Sequence, residues 1–361
     1  MNPFGLVRQK IFPSYLGVDI GTASIKAVEV KQGKQLPQLV NYGVLQSQGY
    51  LARAGDILQS SNLKLSEREI TDLLKKLIEE MNPGTKEAMA SIPIFSVFMT
   101  VLDFPEMSQS ELEKSLSYQV RQYIPLPLSE VALDWMKIGE KQDENGFKYQ
   151  QVLLISVPQG LIKKYQNIFK AAGLNLRLLE IESLSLARSL VGTDPTSTII
   201  VDIGSYSTSI AFVIKGQLMF TGHSDFAGSS ITQALANSLN ISPIRAEELK
   251  KENGIAGFGP SHELSTIMLP FVDGIINEIK KAQFNFSSQF PGVPKSERLI
   301  LSGGGANLVG IERYVEKELE LPTIKAAPLL KFEYPSEIEP LVGELNPVFS
   351  LPLGLVLKEF S

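Results

Sequence analysis

The chain has 361 residues, 43% hydrophobic and 20% charged, which is ordinary globular composition with room for two domains. A net charge of −5 and a pI near 5.4 leave no basic field for nucleic acid, so no nucleic-acid partner is expected. There is no cysteine, and two isolated histidines, His223 and His262, cannot make a zinc cluster; any metal must be held through oxygen.

The segment 1–13 carries Arg8 and Lys10 among apolar residues but lacks the apolar core and cleavage site of a signal peptide. Nothing further along approaches the roughly 20 apolar residues of a membrane span. The expectation is a cytoplasmic protein whose membrane contact is indirect.

In chain order the first signal is a hairpin. An apolar run from Tyr15 to Val18 meets Asp19-Ile20-Gly21-Thr22, and a second strand follows from Ile25 to Val30. The unit recurs without a gap, since Thr198 to Val201 meets Asp202-Ile203-Gly204-Ser205 and Ser209 to Ile214 follows. Ser24 pairs with Ser207, Val30 with Val213 and Gly33 with Gly216, so two whole strand–turn–strand units correspond.

Between the repeats, Ser66-Glu67-Arg68-Glu69 is a capping box, and Ile70, Leu74, Leu77 and Met81 fall on one helical face that Asn82-Pro83-Gly84 ends. Residues 88–104 read as extended and 108–124 as helical, with Leu112, Leu116, Val120 and Tyr123 inward. Strands are predicted over 131–138 and 147–157, with Asn145-Gly146 as the hairpin signal, then a helix over 159–172. Residues 105–175 are thus expected as a small inserted α/β subdomain, with 14–104 and 176–197 making the first core lobe.

The second lobe, 198–361, continues with helices at about 229–239, 243–252 and 262–290, so that 226–298 forms a helical subdomain. A short strand, Leu299 to Leu301, runs into Ser302-Gly303-Gly304-Gly305-Ala306-Asn307 and a further helix. Residues 322–347 hold many prolines and little periodicity, which predicts a surface loop before a last helix at about 348–358 that returns to the first lobe.

Glycine lets a backbone approach a phosphate because it has no Cβ. Three glycine-bearing turns therefore point to phosphate binding. The first offers Gly21, Thr22, Ala23 and Ser24, with Lys26 placed to reach a phosphate oxygen; the second offers Gly204, Ser205, Tyr206 and Ser207; the third offers Gly303, Gly304, Gly305 and Asn307. If the halves face each other, Asp19 and Asp202 converge, and a hydrated Mg²⁺ suits such a sparse carboxylate set. No GxxxxGK[ST] is present, and Leu308 breaks a GxGxxG reading.

The hairpins and the triple-glycine turn resemble the phosphate-1, phosphate-2 and adenosine motifs of the actin, Hsp70 and sugar-kinase superfamily. That resemblance implies an actin-like (ribonuclease H-like) two-lobed ATPase fold in the α/β class, binding ATP or ADP with Mg²⁺. It also implies that Gly228, opening the helix after the second hairpin, borders the nucleotide. Ala246-Glu247-Glu248-Leu249-Lys250 is similar to the helix that grips ribose and base in bacterial actins, which makes Glu247 and Lys250 candidate base-side contacts.

Ser117-Tyr118-Gln119-Val120-Arg121-Gln122-Tyr123-Ile124-Pro125 resembles the helix end of the PilM family of type IV pilus assembly proteins. Phe169-Lys170-Ala171-Ala172-Gly173-Leu174 and Glu182-Ser183-Leu184-Ser185-Leu186-Ala187-Arg188 look like its next landmarks. The resemblance implies a scaffold peripheral to the inner membrane, holding the cytoplasmic tail of PilN, a bitopic protein, between the first core subdomain and the insertion. Other pilus platform proteins and self-association are further expected contacts. Ile92, Ile94, Phe95, Tyr123, Ile124 and Leu126 are the groove candidates.

Catalysis needs an oriented water. By the same resemblance Glu182 would orient it, with Asp202 beside it, although Ser183 stands where related actins carry proline; at most a slow ATPase is expected. Two other readings stay open: a small-molecule kinase of the same superfamily, for which no acceptor-activating carboxylate is evident, and an FtsA-like filament former, whose basic amphipathic terminal helix is not matched by Phe349 to Ser361.

Overall fold

A computed structural model of the chain describes residues 13–47, 66–124, 126–142, 144–256 and 262–360. The segment 1–12, Pro125 of the helix-end motif and Asp143 before the Asn-Gly turn lie outside the described residues. Two five-stranded sheets carry the fold. The first is built from β1 (Ser14–Ile20), β2 (Ser24–Lys31), β3 (Gln38–Gln46), β4 (Glu87–Ile92) and β8 (Asn175–Ile181). Its order is β3-β2-β1-β4-β8, and β9 (Thr198–Ile203), β10 (Thr208–Ile214), β11 (Gln217–Ser224), β12 (Arg298–Ser302) and β13 (Thr323–Lys325) repeat it as β11-β10-β9-β12-β13.

The repeat reaches beyond strand order. In both sheets the first two strands pair antiparallel and the first and fourth parallel. A register shift between Glu29 and Val30 in the first sheet has its counterpart between Phe212 and Val213 in the second, at the same offset that carries Asp19 onto Asp202. β1 and β9 lie centrally and are buried along almost their whole length, so they read as continuous apolar runs rather than alternating ones.

A third, three-stranded sheet is ordered β5-β7-β6, from β5 (Phe98–Pro105), β6 (Val131–Gln142) and β7 (Lys148–Pro158). It begins at Phe98, ahead of the boundary expected at 105. Across it lies α2 (Gln109–Gln119), started by a Ser108–Glu111 capping box, with Leu112, Leu116 and Val120 packed on Phe104 and Val152. Tyr123, expected inward, is 46% exposed, because the chain tightens into a 3₁₀ turn at Val120–Gln122 and rotates it out.

On the first sheet, α1 (Glu67–Met81) and α3 (Gln159–Ala171) bury Ile70, Leu74 and Leu77 with Tyr165, Ile168 and Phe169 over Leu16, Val18 and Ile25. α1 has the predicted capping box and stops at Asn82 in the left-handed conformation. The expected insertion included α3, but its inner face belongs to the first sheet's core. α4 (Glu182–Leu186) passes directly into a π-helical stretch, Ala187–Val191.

The second sheet is covered by α5 (Gly228–Leu239), α6 (Pro243–Asn253), α7 (His262–Gln289, continuing through Pro270) and α8 (Ile311–Leu319). The chain then departs from the sequence reading. Residues 322–347 are not a surface loop: Thr323–Lys325 is an edge strand, and Leu329 and Phe332 are core residues.

The last helix, α9, spans Val342–Leu357 with Pro347 and Pro352 inside it. It packs on β1, β2 and β4 of the first sheet and also reaches β12 of the second. The stretch Ser336–Leu357, 22 residues with mean hydropathy 1.4, is long and apolar enough by length and composition to cross a membrane, which corrects the expectation that nothing approached this. Its composition is explained by burial: Leu351, Leu353, Leu355 and Val356 are enclosed in protein.

Neighbouring groups donate to three carbonyls on the buried face of α9. The Pro347 carbonyl accepts the Gly303 N–H at 2.9 Å, the Leu351 carbonyl accepts the Ser185 hydroxyl at 2.7 Å, and the Gly354 carbonyl accepts Arg188 at 2.6 Å. Arg188 is also paired fork to fork with the buried Glu180, at 2.7 and 3.0 Å.

Candidate functional site

Each repeated turn is closed by the same bond, Gly21 N–H to the Ser24 carbonyl at 3.0 Å and Gly204 N–H to the Ser207 carbonyl at 2.9 Å. A Cβ on Gly21 would stand 3.0 Å from the Ser24 oxygen, and one on Gly204 would stand 2.9 Å from that of Ser207, so each turn needs its glycine. Among the described residues the N–H groups of Thr22, Ala23 and Ser205 carry no hydrogen-bond partner, which leaves donors at both tips.

Strand pairing sets Lys26 opposite Asp19 in the first hairpin, and the ammonium lies 3.0 Å from Asp19 Oδ2. Ser91, at the end of β4, donates to Asp19 Oδ1 at 3.1 Å. Burial works against the charge on Lys26, yet Asp19, Asp202 and Glu182 together outweigh it and raise its pKa. One lysine from the first lobe thus feels carboxylates of both repeats, and the two strand ends face a shared space.

Glu182 is half-buried at the start of α4, with Oε1 accepting the Ile94 N–H at 3.2 Å. Burial, then Asp202 and Asp19, push its carboxyl up to about 8. Asp202 is raised too, chiefly by burial, against the opposing effects of Lys26 and Ser302. With Glu182 largely protonated, Asp19 and Asp202 share the one ammonium of Lys26, and a negative charge is left over that a divalent cation would relieve. The donor set fits Mg²⁺ held mainly through water, because both oxygens of Asp19 are already engaged, by Lys26 and by Ser91. Next to Glu182, the Ser183 hydroxyl is fully enclosed with no partner among the described residues.

The second turn is joined to α5 by two backbone bonds, Gly228 N–H to the Gly204 carbonyl at 3.1 Å and Ser229 N–H to the Ser205 carbonyl at 2.7 Å. Gly228 is therefore a spacer that lets the helix start against the turn. Lys250 donates to the Gly228 carbonyl at 3.1 Å, to Thr232 at 2.9 Å and to Glu247 at 2.6 Å. An ammonium has three N–H groups, and all three are spent. The Glu247–Lys250 pair is thus a buried clamp on the start of α5, neither a solvated charged face nor a Lys250 donor free for a base.

At the third turn Gly303 has φ +79°, and a Cβ on Gly305 would meet the Ile203 side chain at 2.3 Å, so the glycines bring this segment hard against β9. Gly304 faces open space and is exposed. Asn307 donates one amide N–H to the Glu344 carbonyl at 2.9 Å.

Of the six groove candidates, Ile92, Ile94 and Ile124 are core residues, while Phe95, Tyr123 and Leu126 are exposed. Ile92 ends a buried inner strand and Ile124 packs under α2, so neither presents surface to a partner. Two residues escaped sequence reasoning. Ser91 could have been noticed as a polar residue in an otherwise apolar strand; Tyr165, whose hydroxyl feels Asp19 and Glu182, had no local signal.

The model of the family described as type IV pilus assembly protein PilM matches residues 17–360. The chain belongs to the PilM family. Its fold superposes on a chain of a PilM–PilN type IV pilus biogenesis complex with a TM-score of 0.78 at 20% identity, covering 96% of this chain and 98% of that one. MreB5 of Spiroplasma citri bound to AMPPNP follows at TM-score 0.55 and 14% identity, covering 96% of each chain. Among curated sequences, the cell division protein FtsA of Enterococcus hirae is 23% identical, over 95% of this chain and 82% of its own. The PilM fold here is accordingly the actin-like one that the sequence resemblance implied.

Proposed function

We propose that this PilM-family chain is a nucleotide-binding scaffold of the type IV pilus platform. In this reading it lies on the cytoplasmic side of the inner membrane and holds the tail of a PilN-like bitopic protein. The partner reading rests on the family and on the likeness to a PilM seen with PilN. The nucleotide reading is carried by one observation: Lys26 is paired with Asp19 and feels the charges of Asp202 and Glu182, beside two turns closed by the same bond.

In this reading the phosphates sit on the free N–H groups of the two tips, Lys26 meets them, and Asp19 and Asp202 orient the hydration shell of Mg²⁺. Bound Mg²⁺ would supply charge neutralisation between Asp19 and Asp202. Glu182 keeps Oε1 on Ile94 and has Oε2 to orient a water, but its raised pKa holds it largely protonated at neutral pH. Turnover is slow at most, and the nucleotide serves to set the protein's conformation. A groove beside Phe95, where the first sheet meets the small one, receives the tail.

Calorimetry with ATP and Mg²⁺ tests the site. Wild type should bind, and Asp19→Ala should lose affinity by about tenfold or more, because Lys26 then loses its partner and the cation loses an anchor. Absence of heat from the wild-type protein at millimolar nucleotide would sink the assignment. Retention of the protein on an immobilised PilN tail peptide tests the partner separately.

A further inference from the structure

Each duplicated aspartate has a buried serine beside it on the neighbouring parallel strand. β4 runs parallel to β1 with Ala90 opposite Val18, so Ser91 comes level with Asp19, and β12 runs parallel to β9 with Ser302 opposite Asp202. Ser91 is 2% exposed and Ser302 0%. A hydroxyl enclosed to that degree needs an acceptor. Ser91 has one in Asp19 Oδ1, at 3.1 Å, and with Lys26 on Oδ2 both oxygens of that carboxylate are taken.

The second carboxylate is held differently. Asp202 has no ion-pair partner among the described residues. The Ser302 hydroxyl stands 3.4 Å from the Pro347 carbonyl of α9, well beyond the roughly 2.5–3.0 Å of a good O–H···O bond. That carbonyl already accepts the Gly303 N–H at 2.9 Å, so it loses little if the hydroxyl turns away. The same hydroxyl acts on Asp202, drawing its carboxyl down against the effect of burial. One proton thus lies between two acceptors, a carbonyl that has a better donor and a carboxylate that has none.

We propose that Ser302 is the positioning residue for Asp202: when Mg²⁺–nucleotide enters the cleft, its hydroxyl turns from the Pro347 carbonyl onto one Asp202 oxygen and leaves the other for the hydration shell of the cation. The inference rests on the nucleotide reading above and separates the roles of two carboxylates that the sequence presents as equals. Asp19, with both oxygens engaged, is fixed before any ligand arrives and serves chiefly to hold Lys26. Asp202 is the adjustable member. The bond from Ser302, charge-assisted on an ionised carboxylate, sets its orientation, and a cation held mainly through water depends on where that oxygen points.

Calorimetric titration of the full chain with AMPPNP, at a series of Mg²⁺ concentrations and in EDTA, reads this role. In Ser302→Ala the Mg²⁺ concentration that gives half the tightening should rise by about tenfold or more, the scale of a lost hydrogen bond to a charged group, while affinity in EDTA stays within about twofold. Ser302→Thr keeps the hydroxyl and should respond as wild type does. An unchanged Mg²⁺ requirement in Ser302→Ala overturns the proposal. Equal losses with and without Mg²⁺ do the same, because they mark a merely structural residue, and so does a threonine variant as impaired as the alanine one. Independently of any variant, a crystal structure of the wild-type protein with Mg²⁺–AMPPNP should show Ser302 Oγ within hydrogen-bond distance of Asp202. One that leaves it on Pro347 alone overturns the proposal even if Ser302→Ala fails to fold. Wild type that binds no AMPPNP at all removes the nucleotide reading, and this inference falls with it.

Discussion

Glu182 is the residue whose chemistry differs most from that of a free side chain. With its carboxyl pushed to about 8, the folded protein holds a proton that the unfolded chain has released above its ordinary value of 4.5. The native state thus binds more protons across that window, and stability falls as pH rises from about 5 to about 8. Asp202, also raised, adds a slope of the same sign. Glu182→Gln keeps an oxygen for the Ile94 N–H and removes the titration. Melting curves without nucleotide should show the two proteins alike near pH 5 and the variant more stable near pH 8. Parallel curves for the two proteins throughout would show that the carboxylate is not held in this environment.

At the scale of elements, the two hairpins and the closing helix α9 matter most. The turns were legible because Asp-x-Gly-Thr/Ser is a local signal with a local cause, and the recurring bulge shows that the duplication is structural as well as sequential. α9 was misjudged at its start because Pro347 looks like a breaker and burial on all sides erases the amphipathic period. The crossing of α9 over β1 depends on Gly17, where a Cβ would stand 2.1 Å from the Pro352 carbonyl oxygen. Gly17→Ala should destabilise the protein by at least the roughly 1–3 kcal/mol of an overpacked core. Urea unfolding measures this; an unchanged midpoint would mean that the helix does not seat there.

The whole molecule is bound together by that same helix and by one large core. Met89 and Ile181 of the first sheet, Ile138, Leu153 and Ile155 of the small sheet, and Leu351 and Leu355 of α9 join the second lobe's interior. The small sheet also touches β11, where the Thr221 hydroxyl points to the Met99 sulfur at 3.9 Å. The first sheet and the small sheet also keep clusters of their own, but because the second lobe's interior is shared with both, calorimetric unfolding should be a single transition with equal calorimetric and van't Hoff enthalpies. Two resolved transitions would contradict this shared interior.

Local chemistry alone specified the duplicated turns and the capped helices, since glycine tolerance, capping and hydrophobic period act within a few residues of chain; the class of fold came from the resemblance those turns carry to a known superfamily. Tertiary structure decided the rest. It spent Lys250 on a clamp, tied Asn307 to a helix start through one amide N–H, buried Ile92 and Ile124, and set Ser91 and Tyr165 beside Asp19. Those roles depend on which donors and surfaces remain free once distant segments pack, and no spacing along the chain encodes that.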